Sequence, residues 1–231
     1  MRPDLNLQPM FDHPASSPHT LHVVYEDAQL LVLDKPPGLL SVPGRGPDKQ
    51  DCLSARAMAR YPDALIVHRL DMSTSGLVLM ARGAVMQRAL SIAFAARDVE
   101  KRYEAVVDGT PISTDGAGGW NEIDAPIAAD WPRRPLRVID AAGQPSLTRW
   151  RLAKPLPERG ASLLALEPFT GRTHQLRVHL ASIGHAILGD MLYGDNGTQQ
   201  RAERLMLHAT ELALLHPVSG EPLRFASASG F

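Results

Sequence analysis

The chain has 231 residues, 44% hydrophobic and 21% charged, which is enough apolar material to bury a core and excludes wholesale disorder. A formal net charge of -1 argues against indiscriminate binding to polyanions and leaves room for a local basic surface. The single cysteine, Cys52, excludes an internal disulfide and any multi-cysteine metal or redox site, and fits a reducing compartment.

Residues 1–20 carry four prolines and no periodicity, so they read as a flexible arm ahead of one domain over 21–231. The arm lacks the apolar core of a signal peptide, and no later stretch approaches the roughly 18 apolar residues of a membrane span. A cytoplasmic protein with no membrane partner is expected. "LHVVYEDAQLLVLDKP" holds two β-rich runs around a polar "EDA", a hairpin stopped by Pro36, Pro37 and Gly38. "GLLSVPGRGPDK" is a loop, and "DCLSARAMARY" a short helix with Leu53, Ala57 and Met58 near one side.

"LVLMA" has the continuous apolar character of a buried strand. "AVMQRALSIAFAARD" predicts a largely apolar helix through Val85, Leu90, Ile92, Ala93 and Phe94, and "KRYEAVVDG" a strand in which Tyr103, Ala105 and Val107 share a face. Thr110 to Gly119 is a loop. "SLTRWRLAK" and "ASLLALEPF" read as strands, "THQLRVHLASIG" as a helix with Leu176, Leu180 and Ile183 on one face and Gly184 as its stop, and "ELALLHP" as a late strand. Strands outnumber helices and hairpins recur, which predicts an α+β fold with a mixed, mainly antiparallel sheet flanked by helices and loops.

Three stretches could carry chemistry. In "HRLDMSTSG", residues 68–76, an extended backbone puts Arg69 and Asp71 on one side and His68 and Leu70 on the other, so a cation and a carboxylate face one groove; a solvated turn with a casual ion pair is the alternative. In "GRTHQLRVH", Thr173 is a candidate N-cap, and a carboxylate placed there would meet both the Arg172 guanidinium and the helix dipole. Arg172 and Arg177 as solvated helix charges is the plainer reading. His174 and His179 are five apart, which is not the spacing of a zinc helix, and are expected to be structural. In "KRYEA", Lys101 and Tyr103 share a strand face, suited to a phosphate and a stacked base, or to plain core for the tyrosine.

"DWPRRPLR" and "TRWRLAK" add local positive charge, with Trp131 and Trp150 as possible core anchors. The turn-rich "LGDMLYG" and "DKPPGLLSVPG" either line a site or merely connect elements. Cys52 lacks an evident histidine partner and reads as a free small residue rather than a nucleophile. There is no glycine-rich phosphate loop or dinucleotide fingerprint.

These stretches together resemble the RluA family of pseudouridine synthases. "HRLDMSTSG" matches the family's catalytic element, "KRYEAVV" its tyrosine strand, and "GRTHQLRVHL" with "LGDMLYG" its downstream motifs, in order between about Val23 and Phe225. "KPPGLLSVPGR" and "ADWPRRP" are similar to the branch that modifies uridines in both large-subunit ribosomal RNA and the transfer RNA anticodon stem-loop. The resemblance implies the synthase catalytic fold with a central cleft, and an arm too short for the S4-type RNA-binding domain of some relatives. It implies Asp71 as the catalytic aspartate, Tyr103 as the active-site tyrosine, and Arg172 as the aspartate's partner. Arg69 would fill the place of the flipped uridine, with His68, Lys101, Arg133 and Arg134 as further RNA contacts.

The implied chemistry breaks the N1–C1′ bond, turns the uracil and rejoins it through C5, with no redox change. No cofactor or metal is therefore expected, the partner is RNA, and a monomer is expected because no isologous apolar helix stands out. Asp71 can stabilise charge on the sugar, attack it, or remove a sugar proton to give a glycal. Two rivals are a non-catalytic RNA-binding protein of this fold and a metal hydrolase using His68, Asp71, His174 and His179.

Overall fold

The structure, a computed structural model, describes residues 20–113 and 119–231. The expected arm therefore lies almost wholly outside the described residues, as does the middle of the loop expected between Thr110 and Gly119. The chain runs β1 (His22–Glu26), β2 (Leu30–Lys35), α1 (Leu53–Arg60), β3 (Ala64–Ile66), β4 (Ser75–Arg82), α2 (Gly83–Ala96), β5 (Glu100–Asp108), β6 (Asn121–Asp124), β7 (Ile127–Ala129) and β8 (Arg137–Ile139). It continues as β9 (Leu147–Leu156), β10 (Ala161–Pro168), α3 (Gln175–Ser182), α4 (Asn196–Gln200), β11 (Leu207–Leu215) and β12 (Pro222–Ala226).

Ten strands form one sheet in the order β1-β2-β4-β11-β5-β10-β9-β6, with β3 added to β4 and β12 to β11; β7 and β8 form a separate hairpin. Only the β4–β11 pair is parallel, so the mixed, mainly antiparallel α+β fold is as expected. The "EDA" turn between β1 and β2 is closed by Asp27, whose Oδ1 accepts from the Gln29 and Leu30 amides at 2.7 and 2.8 Å.

β2 and β4 are apolar without alternation because both of their faces are covered. Leu30, Val32, Leu77 and Leu79 pack with Leu90 and Phe225 on one face, while Leu31, Leu33, Val78 and Met80 pack with Leu53, Ala57 and Leu70 on the other. Each such side chain contributes about 1.5–3 kcal/mol on burial. On the first face lies α2, which buries Leu90 and packs Ala93 and Phe94 against that core, but leaves Val85 and Ile92 76% and 60% exposed. The helix is largely apolar as expected, and because it lies on a single sheet face only one stripe of it finds a partner. In α1, Leu53 and Ala57 are buried and Met58 is not; Cys52 is its N-cap, with Sγ accepting from the Ala55 amide at 3.4 Å.

The short strands β3, β6, β7, β8 and β12 were not foreseen, nor was α4. α3 departs from expectation in two respects. It starts at Gln175 rather than after a Thr173 cap, entered through His174 in the left-handed region at φ 58. It is also buried from Gln175 through Leu180, polar residues included, while Ile183 at its end is exposed.

The strand order assembles the site. Across three adjacent strands Gly76 of β4 is level with Ala209 of β11, which is level with Tyr103 of β5; Tyr103 is in turn level with Leu166 of β10. The loop before β4, the middle of β5 and the segment after β10 therefore meet at one place. Gly76 is needed for this: at φ 108, an added Cβ would lie 2.3 Å from the Ala209 carbonyl oxygen.

Candidate active site

Asp71 sits in the turn before β4, closed by the Thr74 amide donating to the Asp71 carbonyl at 3.1 Å. The "DKPPGLLS" loop does more than connect, because it holds this turn by its backbone. Lys35, fully buried, donates from Nζ to the carbonyls of Pro36, Leu39 and Met72 at 2.9, 2.8 and 3.1 Å. The Gly38 amide also reaches the Met72 carbonyl at 2.8 Å. Ser41 Oγ donates to the Leu70 carbonyl at 2.8 Å and accepts from the Leu70 amide at 3.1 Å. Burial pulls Lys35 down to about 7, opposed by Asp71 and then Asp34. Three carbonyl acceptors match the three donors of an ammonium, so the protonated form suits the geometry.

The opposite wall comes from α3 and the segment after it. Arg177, almost fully buried, grips Asp190 through Nε at 2.8 Å and Nη2 at 2.6 Å, and turns its remaining Nη1 to Asp71 at 3.5 Å. Asp190, also buried, further accepts from the Leu192 and Tyr193 amides at 2.9 and 3.2 Å. The Arg177 guanidinium is thus fixed by its neighbours before any substrate arrives. His174 Nε2 is 3.9 Å from the same Asp71 oxygen, and its Nδ1 is 2.7 Å from the Tyr193 hydroxyl. Burial lowers the His174 pKa, opposed by Asp71 and assisted by Arg177, so the ring is neutral near pH 7. Burial pushes Tyr193 up to about 12. The buried Gln175 amide pins the start of α3 to β9, donating to the Leu147 carbonyl and Thr148 Oγ1, each at 3.0 Å, while accepting from the Arg172 amide at 3.0 Å.

Between these walls lies a cleft of about 510 Å³ lined by Asp71, Tyr103, His174 and a set of cations: Arg69, Arg97, Lys101, Arg172 and Arg177. Among the described residues Asp71 is the only carboxylate in that lining. Tyr103 packs at the junction of two core clusters, and burial followed by Asp71 raises its pKa, so its phenol is protonated at neutral pH. Burial lowers Lys101, helped by Arg97.

The structure brings Asp71, Tyr103, Arg69, Lys101 and Arg172 to one cleft, and corrects two expectations within it. Arg172 is exposed and its Nε donates to the Pro145 carbonyl at 3.3 Å; the guanidinium that reaches Asp71 belongs to Arg177. The reason is the late start of α3, which turns Arg172 to the rim and Arg177 inward. His68 is a wall residue rather than a cationic contact. Its ring stacks on Phe94 at 4.5 Å, its Nε2 accepts from the Leu79 amide at 2.9 Å, and burial, with Lys101, lowers it to about 3. Arg133 and Arg134 lie outside the cleft, at the exposed tip of the β7–β8 hairpin. His179 is structural as expected, bridging Thr148 Oγ1 and the Ala125 carbonyl. Both of its nitrogens and Nε2 of His68 are engaged, and among the described residues no cluster of three or more potential metal ligands forms.

Sequence reasoning missed Lys35, His174, Gln175, Arg177 and Asp190 as parts of this site. A lysine at the end of "LLVLDK", just after an unbroken apolar run and Asp34, and a helix "QLRVHLAS" with no charged face, were the available signals.

The family model for RNA pseudouridylate synthase matches residues 29–182, which span both walls of the cleft. The chain belongs to this family. It is 44% identical over 200 residues to the "Dual-specificity RNA pseudouridine synthase RluA" of Vibrio cholerae, covering 86% of this chain and 79% of the relative. It is 39% identical over 212 residues to the protein of the same name from Escherichia coli, covering 91% and 94%. Among solved structures it is similar to Human RNA Pseudouridylate Synthase Domain Containing 1, with TM-score 0.76, 28% identity, and 94% and 86% of the two chains covered. The family catalyses an isomerisation, so this chain is an RNA pseudouridine synthase by membership. Among the described residues no helix is long and apolar enough to cross a membrane.

Proposed function

We propose that the chain isomerises uridines in both large-subunit ribosomal RNA and the transfer RNA anticodon stem-loop, acting in the cytoplasm with no cofactor. The observation that carries the site assignment is the carboxylate of Asp71 facing a pre-fixed guanidinium in a cleft whose other charged lining residues, among those described, are cations. The cations suit a polyanion, and the carboxylate suits a sugar on which positive charge develops as the N1–C1′ bond breaks. The dual substrate range rests on the names of the relatives at about 40% identity.

In this reading a uridine leaves its stack, at a cost of a few kcal/mol, and Arg69 at the cleft mouth takes the vacated place. Uracil stacks on Tyr103, worth roughly 1–3 kcal/mol. Asp71 acts on C1′ or on the neighbouring sugar proton, which it later returns; the N1–C1′ bond breaks, the base turns and C5 bonds to C1′, and the proton lost from C5 is balanced by one gained at N1. Arg177 opposes the charge of Asp71 throughout, and Lys101 and Arg172 meet phosphates at the rim. Arg133 and Arg134 meet RNA farther out.

The test is incubation of the purified chain, with neither metal nor cofactor added, with an anticodon stem-loop and a hairpin of large-subunit ribosomal RNA, followed by pseudouridine analysis of each. Product in both is expected. Product in one alone would overturn the dual range and keep the chemistry; product in neither would overturn this reading.

A further inference from the structure

Among the exposed apolar side chains, Trp131 differs from the rest. Val85, Ile92 and Val218 are equally exposed, but scattered surface hydrophobics need no explanation. Trp131 is 68% exposed and carries the Arg134 guanidinium over its ring at 3.6 Å. That leaves one face covered by a cation and the other face open. No ion pair to a described carboxylate competes for Arg134.

The loop that presents this pair is held at its base. The Asp130 amide donates to the Leu136 carbonyl at 3.1 Å, and the Leu136 amide to the Arg133 carbonyl at 3.0 Å. Asp130 Oδ2 accepts from Arg133 Nε at 2.7 Å, which fixes the turn from inside. β7 is joined to the body by reciprocal bonds between Ile127 and Gln144 at 3.0 and 2.9 Å. The hairpin is also tied to the cleft: the Arg137 amide donates to the Tyr193 hydroxyl at 2.9 Å, and that hydroxyl is 2.7 Å from His174, which faces Asp71. Six residues separate Trp131 from Arg137, so the ring lies within about 20 Å of that anchor.

We propose that Trp131, with Arg134 behind it, is a base-stacking platform that receives an unpaired base of the RNA other than the target uridine. An aromatic face backed by a guanidinium is suited to a nucleobase, because stacking accepts any base and the cation compensates the adjoining phosphate. The guanidinium is already seated, so little ordering remains to be done on binding. A folded loop has bases splayed on its outside at some distance from the target, where the hairpin tip can meet one of them. The platform thus selects RNA shape, and this inference rests on the reading of the cleft as the place where the target uridine reacts.

The test measures equilibrium binding of an anticodon stem-loop RNA, with conversion to pseudouridine followed separately on the same samples. Trp131→Ala should weaken binding roughly 5- to 150-fold, the range that one stacked base implies, and raise KM in parallel while kcat at saturation holds. Trp131→Phe, which keeps a ring, should lose much less. Fluorescence gives a second readout that does not require the alanine variant to fold: RNA should quench wild type strongly and Trp131→Phe weakly. Unchanged binding by a folded Trp131→Ala, or equal quenching of wild type and Trp131→Phe, would overturn the platform. Should wild type bind RNA without making pseudouridine while Trp131→Ala binds more weakly, the synthase reading fails and the platform stands.

Discussion

The bed under Asp71 and the tip of the β7–β8 hairpin both present cations to one cleft or its surroundings, and they are built in opposite ways. Beneath Asp71, Lys35, Arg177 and Asp190 are nearly or wholly buried, and nearly every donor and acceptor has a partner. At the tip, Arg133 and Arg134 are exposed, and only the Asp130 carboxylate that holds Arg133 is largely covered. A charge that must act on a reacting sugar is worth most where water is excluded and its orientation is fixed in advance. A charge that must find a flexible polyanion works better exposed, where it steers and then adapts. The same residue type therefore contributes by position in one region and by accessibility in the other.

That contrast can be broken or sharpened by substitution, most strongly in the cleft. Tyr103→Phe should keep RNA affinity within a few-fold and lower turnover by roughly 10²–10⁴-fold if the hydroxyl serves proton transfer; normal kcat in single-turnover assays would leave the ring with a stacking role only. Asp190→Ala strands a buried guanidinium and should cost about 3–5 kcal/mol in denaturant unfolding. The pair Arg177→Met with Asp190→Leu should recover most of that stability without recovering activity, which separates the packing role of the bed from its electrostatic one.

Stability should also depend on pH through the buried histidines of the body and not through the tip. Burial lowers His68, His174, His179 and His208 below their unfolded values. The unfolded chain therefore binds more protons than the folded one below about pH 6.5, and unfolding free energy falls as pH falls through that point. Melting curves should shift down steadily from pH 7 to 5, by on the order of 1 kcal/mol per pH unit for each histidine kept neutral, and tip substitutions should leave that slope alone. The smallest effect is expected for Arg133→Ala. With its own side chain 70% exposed, its pair with Asp130 adds on the order of 1 kcal/mol to stability, and its loss should weaken RNA binding a few-fold and lower the salt slope by about one.

Much of the fold was legible because its signals are local. β2 and β4 announce themselves as unbroken apolar runs, and Arg69 and Asp71 share a side by simple alternation. The bed was not legible, because it is made of contacts between distant segments. Arg177 reads as a solvated helix charge until α3 is found to be buried all round. Asp190 reads as a turn residue until it is found under that arginine. Arg172, the arginine singled out by its place at a supposed helix start, points to the rim because His174 adopts a left-handed backbone and delays the helix. The exposure of Val85 and Ile92 was not legible for a related reason, since hydrophobicity alone does not tell which face of a helix finds a partner.

The most direct measurement compares wild type with Asp71→Asn on the same stem-loop RNA, following pseudouridine, RNA affinity and melting temperature together. The account predicts no detectable product from the variant, affinity within a few-fold of wild type, and melting within a few degrees, because only the carboxylate's charge has been removed. Product from Asp71→Asn at a rate near wild type would contradict the assignment of Asp71 as the group that acts on the sugar.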